Sequence, residues 1–234
     1  MGAYPASAAE LKFVVDESLA DGIRQWMRAE LDADPHGVGT LGDGYQTTTL
    51  YFDTEEFDHF FRRRSFARAK FRIRRYNSGS MVFLERKMKV EGRVSKRRSN
   101  CAVEDLDRLL THGPAWPGSW FANRLENRKL QPVCEISYDR TARVRMSDCG
   151  PLRLTLDTNL RATEIKTVRF TDAVNLEIAP GAAILEMKYR VHVPPLFKQL
   201  IEEFGLASRS HSKYRTAIRG LGLVSEEKGL ALGV

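Results

Sequence analysis

One short stretch limits the possible folds of this chain more than any other. In AKFRIRRYNSG, residues 69–79, a period of two places apolar side chains on one face and the cations Lys70, Arg72 and Arg74 on the other. This alternation is typical of a β-strand with one face in an apolar core. Three cations side by side repel one another, so the charged face requires a compensating anion.

The same alternation recurs in strand after strand along the chain. Turn signals such as NSG (77–79) separate these segments. Helical patterns lie between them, among others at 55–66 and 104–113, and near the end. We therefore predict an α+β fold in which antiparallel strands form a closed or nearly closed barrel with flanking helices. The charged faces carry Glu10 and Lys12, Glu85 and Lys87, Lys96 and Arg98, Tyr138 and Arg140, Arg153 and Asp157, and Glu186 and Lys188.

Two interpretations of the charged faces are open. An antiparallel sheet with one side in water shows alternation without any function. However, these faces are rich in Lys and Arg at mid-strand, and a closed sheet would direct them toward a common axis. A polyanion together with a divalent metal would relieve the resulting repulsion.

The carboxylates among these cations reduce the number of ligands that the charged faces could bind. Mg²⁺ and Mn²⁺ are commonly held by one or two carboxylates plus substrate phosphates. Glu186 is the best candidate metal ligand, and Glu10, Glu85 and Asp157 are weaker ones. Each of these three acids could equally be a salt-bridge partner of a neighbouring cation.

Composition sets the remaining limits. The chain has 234 residues, which suffice for one domain over 1–234. Its net charge of +7 favours an anionic partner. Three cysteines without C-x-x-C spacing predict neither a disulfide framework nor a zinc site. No window is long and apolar enough to span a membrane, so we expect a soluble cytoplasmic protein. The aromatic residues Phe13, Phe71 and Tyr189 fall on core-facing positions, which argues against a nucleic-acid-binding face.

Eight segments in order resemble the VTC domain, the polyphosphate polymerase domain of the vacuolar transporter chaperone. This domain belongs to the triphosphate tunnel metalloenzyme superfamily, whose fold is CYTH-like, and the resemblance covers roughly residues 9–220. The segments are LYFDT (50–54), KFRIRRY (70–76), FLERK (83–87), GRVSKRR (92–98), YDRTA (138–142), LRLTLDTNL (152–160), ILEMKYR (184–190) and HSKYRTA (211–217).

The resemblance implies an eight-stranded antiparallel tunnel that binds ATP, triphosphate and polyphosphate. It also implies Mn²⁺- or Mg²⁺-dependent transfer of the ATP γ-phosphate onto a growing polyphosphate chain. Glu186 would bind the metal. Lys70 is predicted as a further substrate contact from its position on the charged strand face, not from the resemblance. The catalytic cations would be Arg72, Arg74, Lys87, Arg140 and Lys188, and the other substrate contacts would be Lys12, Lys96, Tyr138, Arg153, Ser212 and Lys213.

The sequence departs from the wider superfamily at its first motif. The pattern Glu-x-Glu-x-Lys falls on Ala8, Glu10 and Lys12, so the first acid is missing. Fewer metal ligands favour the polymerase branch over a hydrolase that uses water as acceptor. A triphosphatase of the same fold and a non-catalytic polyphosphate-binding module are the alternatives. The arginine that the family uses upstream of KFRIRRY is left unassigned among Arg62, Arg63, Arg64 and Arg68.

Overall fold

The structure is a computed structural model that describes residues 9–39, 41–90, 93–111, 113–148, 150–171, 176–190, 192–209 and 211–224, without the side chains of 64, 89, 90, 93 and 94. Its strands are β1 (Ala9–Asp16), β2 (Asp32–Ala33), β3 (Gly44–Asp53), β4 (Ala69–Tyr76), β5 (Met81–Val90), β6 (Arg93–Ala102), β7 (Gln131–Ser147), β8 (Gly150–Glu164), β9 (Leu176–Glu177) and β10 (Ala182–Tyr189). The helices are α1 (Glu17–Glu30), α2 (Ser119–Asn127), α3 (Pro195–Glu203) and α4 (Lys213–Gly220), with 3-10 helices at Arg64–Arg68 and Val103–Leu109.

Eight principal strands form one sheet in the order β1-β10-β8-β7-β3-β4-β5-β6, and the short strands β2 and β9 pair with β7 and β8. Neighbouring strands run antiparallel where their register is described. The predicted α+β class and the set of eight principal antiparallel strands are thus confirmed. Within the described residues, no helix is long and apolar enough to cross a membrane.

The chain forms two compact units, and each is built from three separate segments. Unit 1 comprises residues 1–46, 138–160 and 179–212, and unit 2 comprises 47–137, 161–178 and 213–234. This division into two units does not test the prediction of one domain over 1–234, which stays a prediction.

The core of unit 1 lies between strands β1, β10 and β8 and helices α1 and α3. Phe13, Leu154 and Met187 come from the apolar faces of the strands, and Met27 and Phe197 come from the two helices. Each is at most 1% exposed, so alternation along the strands and helical spacing in α1 both place their apolar sets in one core. The opposite face of the same strands carries the charged side chains.

The core of unit 2 lies between strands β3 to β6 and helix α2. Phe121 of α2 is fully buried, and its ring packs edge-on against Phe52 at 5.6 Å and Phe71 at 6.1 Å between centroids. Leu84 and Ile73 complete the apolar side of the strands. Here too, alternation leaves the charged residues on the other face.

A helix predicted over 55–66 is largely absent, because one carboxylate redirects the backbone. Asp53 is fully buried and accepts hydrogen bonds from the amides of Thr54, His59 and Phe60 at 2.8 to 2.9 Å. Amides held by a side chain are not available for helical bonding, so the chain makes turns and then the 3-10 helix Arg64–Arg68. The helical insert predicted from residue 104 likewise forms a 3-10 helix, Val103–Leu109.

Candidate functional site: two cationic faces

The centre of the charged face in unit 2 is the carboxylate of Glu85. Pairing places Glu85 of β5 opposite Arg72 of β4 on one side and Arg98 of β6 on the other. Its oxygens lie 2.7 Å from Arg72 Nε, 2.5 Å from Lys96 Nζ and 2.9 Å from Arg98 Nε. Burial alone would raise the pKa of Glu85, but Arg72, Arg74 and Lys96 hold it well below its usual range.

Three lysines stand in one row across this face. Lys70 of β4 is directly opposite Lys87 of β5, which is directly opposite Lys96 of β6. Neighbouring strands are only about 4.8 Å apart, so the three ammonium groups raise one another's energy. Burial, followed by the charges of Arg72 and Arg98, lowers the pKa of Lys96 despite its contact with Glu85.

Tyr76 lies at the end of the same face, next to two arginines. Its hydroxyl accepts a hydrogen bond from Arg98 Nη2 at 3.1 Å, and Arg74 Nε donates to Thr49 Oγ1 at 3.2 Å. Burial would raise the pKa of Tyr76, but Arg74 and Arg98 outweigh it and lower the pKa to about 8. The hydroxyl therefore titrates close to neutral pH.

Lys213 is the first residue of α4, and its neighbour anchors the helix. The Tyr214 hydroxyl donates to Asp53 Oδ2 at 2.5 Å, and the Tyr214 ring stacks on His59. Because Tyr214 is almost fully buried, this contact fixes the start of α4 and with it the position of Lys213. A cation at a helix N-terminus is electrostatically unfavourable, whereas a bound anion is favourable there. Ser212 directly precedes this helix.

In unit 1, Lys12 lies between two carboxylates. Its Nζ is 2.8 Å from Glu10 Oε1 and 2.9 Å from Glu186 Oε1. Burial opposes the charge on Lys12, but Glu186 and Glu10 outweigh it and raise the pKa above its ordinary value. The two acids are thus brought to one point by a single ammonium group.

Arg140 and Arg153 are also paired with acids. Arg140 Nε and Nη2 donate to the two oxygens of Asp157 at 2.6 and 2.7 Å, a bidentate pair that is almost fully buried. Arg153 Nε donates to Asp34 Oδ2 at 2.8 Å. The guanidinium of Arg140 also lies over the Tyr138 ring at 5.3 Å, which places the predicted contact Tyr138 in the same cluster.

Lys188 lies among both acids and arginines of unit 1. The register places it between Glu10 of β1 and Arg153 of β8. Burial lowers its pKa to about 8, with Arg140 and Arg153 acting in the same direction and Glu186 and Glu10 opposing. A bound phosphate would favour its charged form.

A divalent metal fits the carboxylates of unit 1. Glu10 and Glu186 meet at Lys12, and the hydroxyl of Thr155, opposite Glu186 on β8, is buried without a hydrogen-bond partner among the described residues. These hard oxygen donors suit Mg²⁺ or Mn²⁺. The described side chains contain no group of three or more metal-ligating residues, so substrate phosphates would complete the coordination.

The other two predicted metal ligands have close cationic partners. Asp157 holds Arg140 through both oxygens, and Glu85 holds Arg72, Lys96 and Arg98. Their assignment as metal ligands stays a prediction, and their geometry in the structure is that of salt-bridge partners.

Some site residues escaped the sequence prediction. Strand alternation places Arg98 and Tyr76 on the same faces as the predicted cations, but neither was predicted as a phosphate contact. Asp34 lies outside the principal strands and accepts a hydrogen bond from the Arg153 side chain, 119 residues away, so no sequence pattern indicated it.

The upstream arginine of the family remains without an assignment. Arg63 lies 3.5 Å from Asp58 and donates to the backbone oxygen of Glu56. Arg62 and Arg68 are exposed, and the side chain of Arg64 lies outside the described residues.

Three solved structures are similar to this chain at low sequence identity. A solved structure of a proposed adenylate cyclase from Bacillus halodurans is 13% identical, covers 87% of this chain and 92% of its own, and superposes with a TM-score of 0.54. A proposed adenylate cyclase from Vibrio parahaemolyticus is 13% identical over 91% of this chain and 98% of its own, with a TM-score of 0.49. A proposed adenylyl cyclase from Hippeastrum with a dominant triphosphatase activity is 15% identical over 92% and 96%, with a TM-score of 0.46.

No curated protein sequence matches the chain. The likeness to the Bacillus halodurans protein supports a common fold. The model of the VTC domain matches residues 7–221, nearly the whole chain and close to the predicted range of 9–220. The chain therefore belongs to the VTC-domain family.

Proposed function

We propose that this protein is a polyphosphate polymerase that transfers the γ-phosphate of ATP to the end of a growing polyphosphate chain. The observation that carries this proposal is the face of unit 2, where Lys70, Lys87 and Lys96 stand in one row beside the buried carboxylate of Glu85. An excess of cations on one face favours the binding of an anion with several charges.

The face of unit 2 would hold phosphate groups directly. Arg72 and Arg98 are oriented by Glu85, so their remaining N–H groups can donate to phosphate oxygens. The lysine row and Lys213 would add further positive charge. In phosphoryl transfer, positioning and neutralisation of this kind account for most of the catalysis.

The face of unit 1 would hold phosphate together with a metal. Enzymes of this fold generally use divalent metals, and here Glu186 and Glu10 would bind Mg²⁺ or Mn²⁺. When bound, the ion neutralises charge on the phosphoryl oxygens. Lys12 would stay charged between the two acids, and bound phosphate would favour the charged form of Lys188.

The acceptor would be the end of a phosphate chain, because transfer to a phosphate group needs no general base. The terminal phosphate of the acceptor is already ionised, whereas an attacking water needs a group to take its proton. His59 is nearly buried, its ring nitrogen is bonded to the backbone oxygen of Phe66, and burial lowers its pKa. This histidine is therefore part of the packing.

The direct test is to incubate the purified protein with ATP and Mn²⁺ and to resolve the products by phosphorus NMR and gel electrophoresis. We expect ADP, signals of internal phosphates and a ladder of long chains. Orthophosphate with ADP and no chains would instead indicate a triphosphatase. Tight binding of tripolyphosphate without turnover would indicate a binding module.

A substitution at the metal site separates catalysis from binding. Glu186→Gln keeps the shape of the side chain but removes a metal ligand, so we expect turnover to fall by about 100-fold or more. Tripolyphosphate binding without metal should be unchanged or tighter, as measured by calorimetry. Glu164→Gln, at an exposed site, is the matched control. Unchanged turnover in Glu186→Gln would overturn the metal assignment.

A further inference from the structure

Four arginines form a second cationic surface on unit 2, away from the face described above. We call this set the arginine quartet; it consists of Arg86, Arg97, Arg124 and Arg128. Arg86 alternates with Glu85 and Lys87 along β5, and Arg97 alternates with Lys96 and Arg98 along β6. The quartet therefore lies on the opposite side of these strands, where α2 packs.

The quartet is laid out on a regular frame. Arg86 and Arg97 are directly opposite each other across β5 and β6. Arg124 and Arg128 are four residues apart at the end of α2 and so lie on one side of that helix. Neighbouring strands and successive helical turns are both spaced by about 5 Å. The backbone positions of the four arginines are therefore spaced by a similar interval across the strands and along the helix.

Aromatic rings support two of the guanidinium groups. Arg97 lies over the ring of Trp120 at 4.4 Å, and Arg128 lies over the ring of Phe66 at 4.7 Å. Arg128 Nη2 also donates to Ser65 Oγ at 2.8 Å. A guanidinium stacked on a ring keeps its N–H edges available for a planar acceptor such as phosphate.

The electrostatics of the quartet favour a bound anion. Arg86 has a lowered pKa, first because of burial and then because of the charges of Arg124, Arg97 and Arg128. Arg86 Nε and Arg128 Nη1 are buried and have no hydrogen-bond partner within the described residues. Buried donors without acceptors cost free energy, and a bound oxyanion would supply the acceptors.

We infer that the arginine quartet binds inorganic polyphosphate along its chain, as a second site that holds product outside the catalytic face. This inference rests on the proposed function, which supplies that polyanion. Polyphosphate carries a charge on every unit, so one chain can present oxygens to all four guanidinium groups. An extended acidic peptide directs only every second side chain to one side, about 7 Å apart, and matches the frame less well.

The test is a titration with long-chain polyphosphate supplied from outside, without ATP. Arg97 and Arg124 are exposed, so the double variant R97E/R124E should fold, which thermal unfolding would verify. We expect its affinity for long chains to fall at least about tenfold, while its affinity for tripolyphosphate stays unchanged. The matched control K166E/R169E reverses two exposed charges elsewhere in unit 2.

Two further measurements test the second site: binding in a variant with a weakened catalytic face, and competition by other polyanions. In a Lys87→Met background, which weakens the catalytic face, long-chain binding should persist and still depend on Arg97 and Arg124. Single-stranded DNA and phosphatidylglycerol vesicles serve as competing polyanions. Equal losses in R97E/R124E and K166E/R169E, or a loss confined to DNA or vesicles, would overturn the inference.

The result of the titration can be interpreted whether or not the proposed function is correct. If the protein makes no chains from ATP but R97E/R124E still weakens long-chain binding, the proposed activity fails and the second site stands. If chains are made and R97E/R124E binds them like the unaltered protein, only the second site fails. In an active protein we also expect R97E/R124E to release shorter chains, as measured by gel.

Discussion

The charged faces of the two units use carboxylates in different ways. In unit 1 the cations Lys12, Arg140, Arg153 and Lys188 lie among an equal number of acids, Glu10, Glu186, Asp157 and Asp34. In unit 2 the described side chains of β4, β5 and β6 on the charged face include six cations around Glu85; they are Lys70, Arg72, Arg74, Lys87, Lys96 and Arg98. One further acid, Asp53 at the end of β3, falls opposite Lys70 when the register is continued by one residue.

This difference separates two ways of binding phosphate. A face with balanced charge attracts phosphate weakly unless a metal adds positive charge, so unit 1 is suited to a metal–phosphate complex. A face with excess positive charge attracts a bare polyanion, so unit 2 is suited to phosphate without metal. The same strand alternation produces both faces, and only the placement of the acids differs.

The largest expected effect concerns Glu85, the acid that contacts three cations of the charged face in unit 2. Glu85→Gln leaves Arg72, Lys96 and Arg98 without their carboxylate, which should lower the free energy of unfolding by about 3 kcal/mol. Tripolyphosphate should restore much of this loss, because an anion bound only by the folded state stabilises it. Urea unfolding with and without tripolyphosphate measures both effects, and Glu104→Gln, at an exposed site, is the control. A variant as stable as the unaltered protein would contradict the role given to Glu85.

The next comparison removes one lysine from each face. Lys87→Met should weaken metal-free binding of tripolyphosphate about tenfold, through loss of one charged contact in the lysine row. Lys12→Met should instead strengthen Mn²⁺ binding, because Glu10 and Glu186 lose the ammonium group between them. Calorimetry with tripolyphosphate and with Mn²⁺ alone measures each change. Equal responses of the two variants to Mn²⁺ would remove the distinction between the faces.

The smallest expected effect is on pH dependence. Lys188 in unit 1 and Tyr76 in unit 2 both have pKa values of about 8. As pH rises through 8, Lys188 loses its positive charge and Tyr76 gains a negative one, so tripolyphosphate affinity should fall roughly fivefold.

Bound phosphate should raise both pKa values, so binding at pH 8 to 9 takes up protons. Calorimetry in buffers of different ionisation enthalpy measures this uptake. Glu10, Glu186, Arg140 and Arg153 surround Lys188, and Arg74, Arg98 and Glu85 surround Tyr76. Lys188→Arg should remove one part of the uptake and Tyr76→Phe the other. Uptake that is unchanged in both variants would show that other groups titrate.

Strand alternation predicted most of the fold and both faces. A period of two is a strong constraint, since a shift of one residue would exchange the core and the charged face. It correctly separated Phe71 and Ile73 from Arg72 and Arg74, and likewise Leu185 and Met187 from Glu186 and Lys188.

Contacts set by irregular backbone escaped prediction. The turns that wrap around Asp53 depend on a carboxylate satisfying three amides, and helical spacing in the sequence gives no sign of this. The link from Asp53 to Tyr214 joins positions 161 residues apart, which no local pattern can indicate. The choice of partner for each acid is equally non-local, so the sequence could not distinguish metal ligands from salt-bridge partners.

The interleaving of the two units has a consequence for synthesis on the ribosome. Unit 1 needs residues up to 212, and unit 2 needs α4, which begins at Lys213. Unit 1 cannot be completed before residue 212 has been translated, and unit 2 cannot be completed before α4 has been translated. No contiguous fragment contains one complete unit without most of the other. A nascent chain that ends before β10 therefore leaves the edges of β1 and β8 without their partner strand.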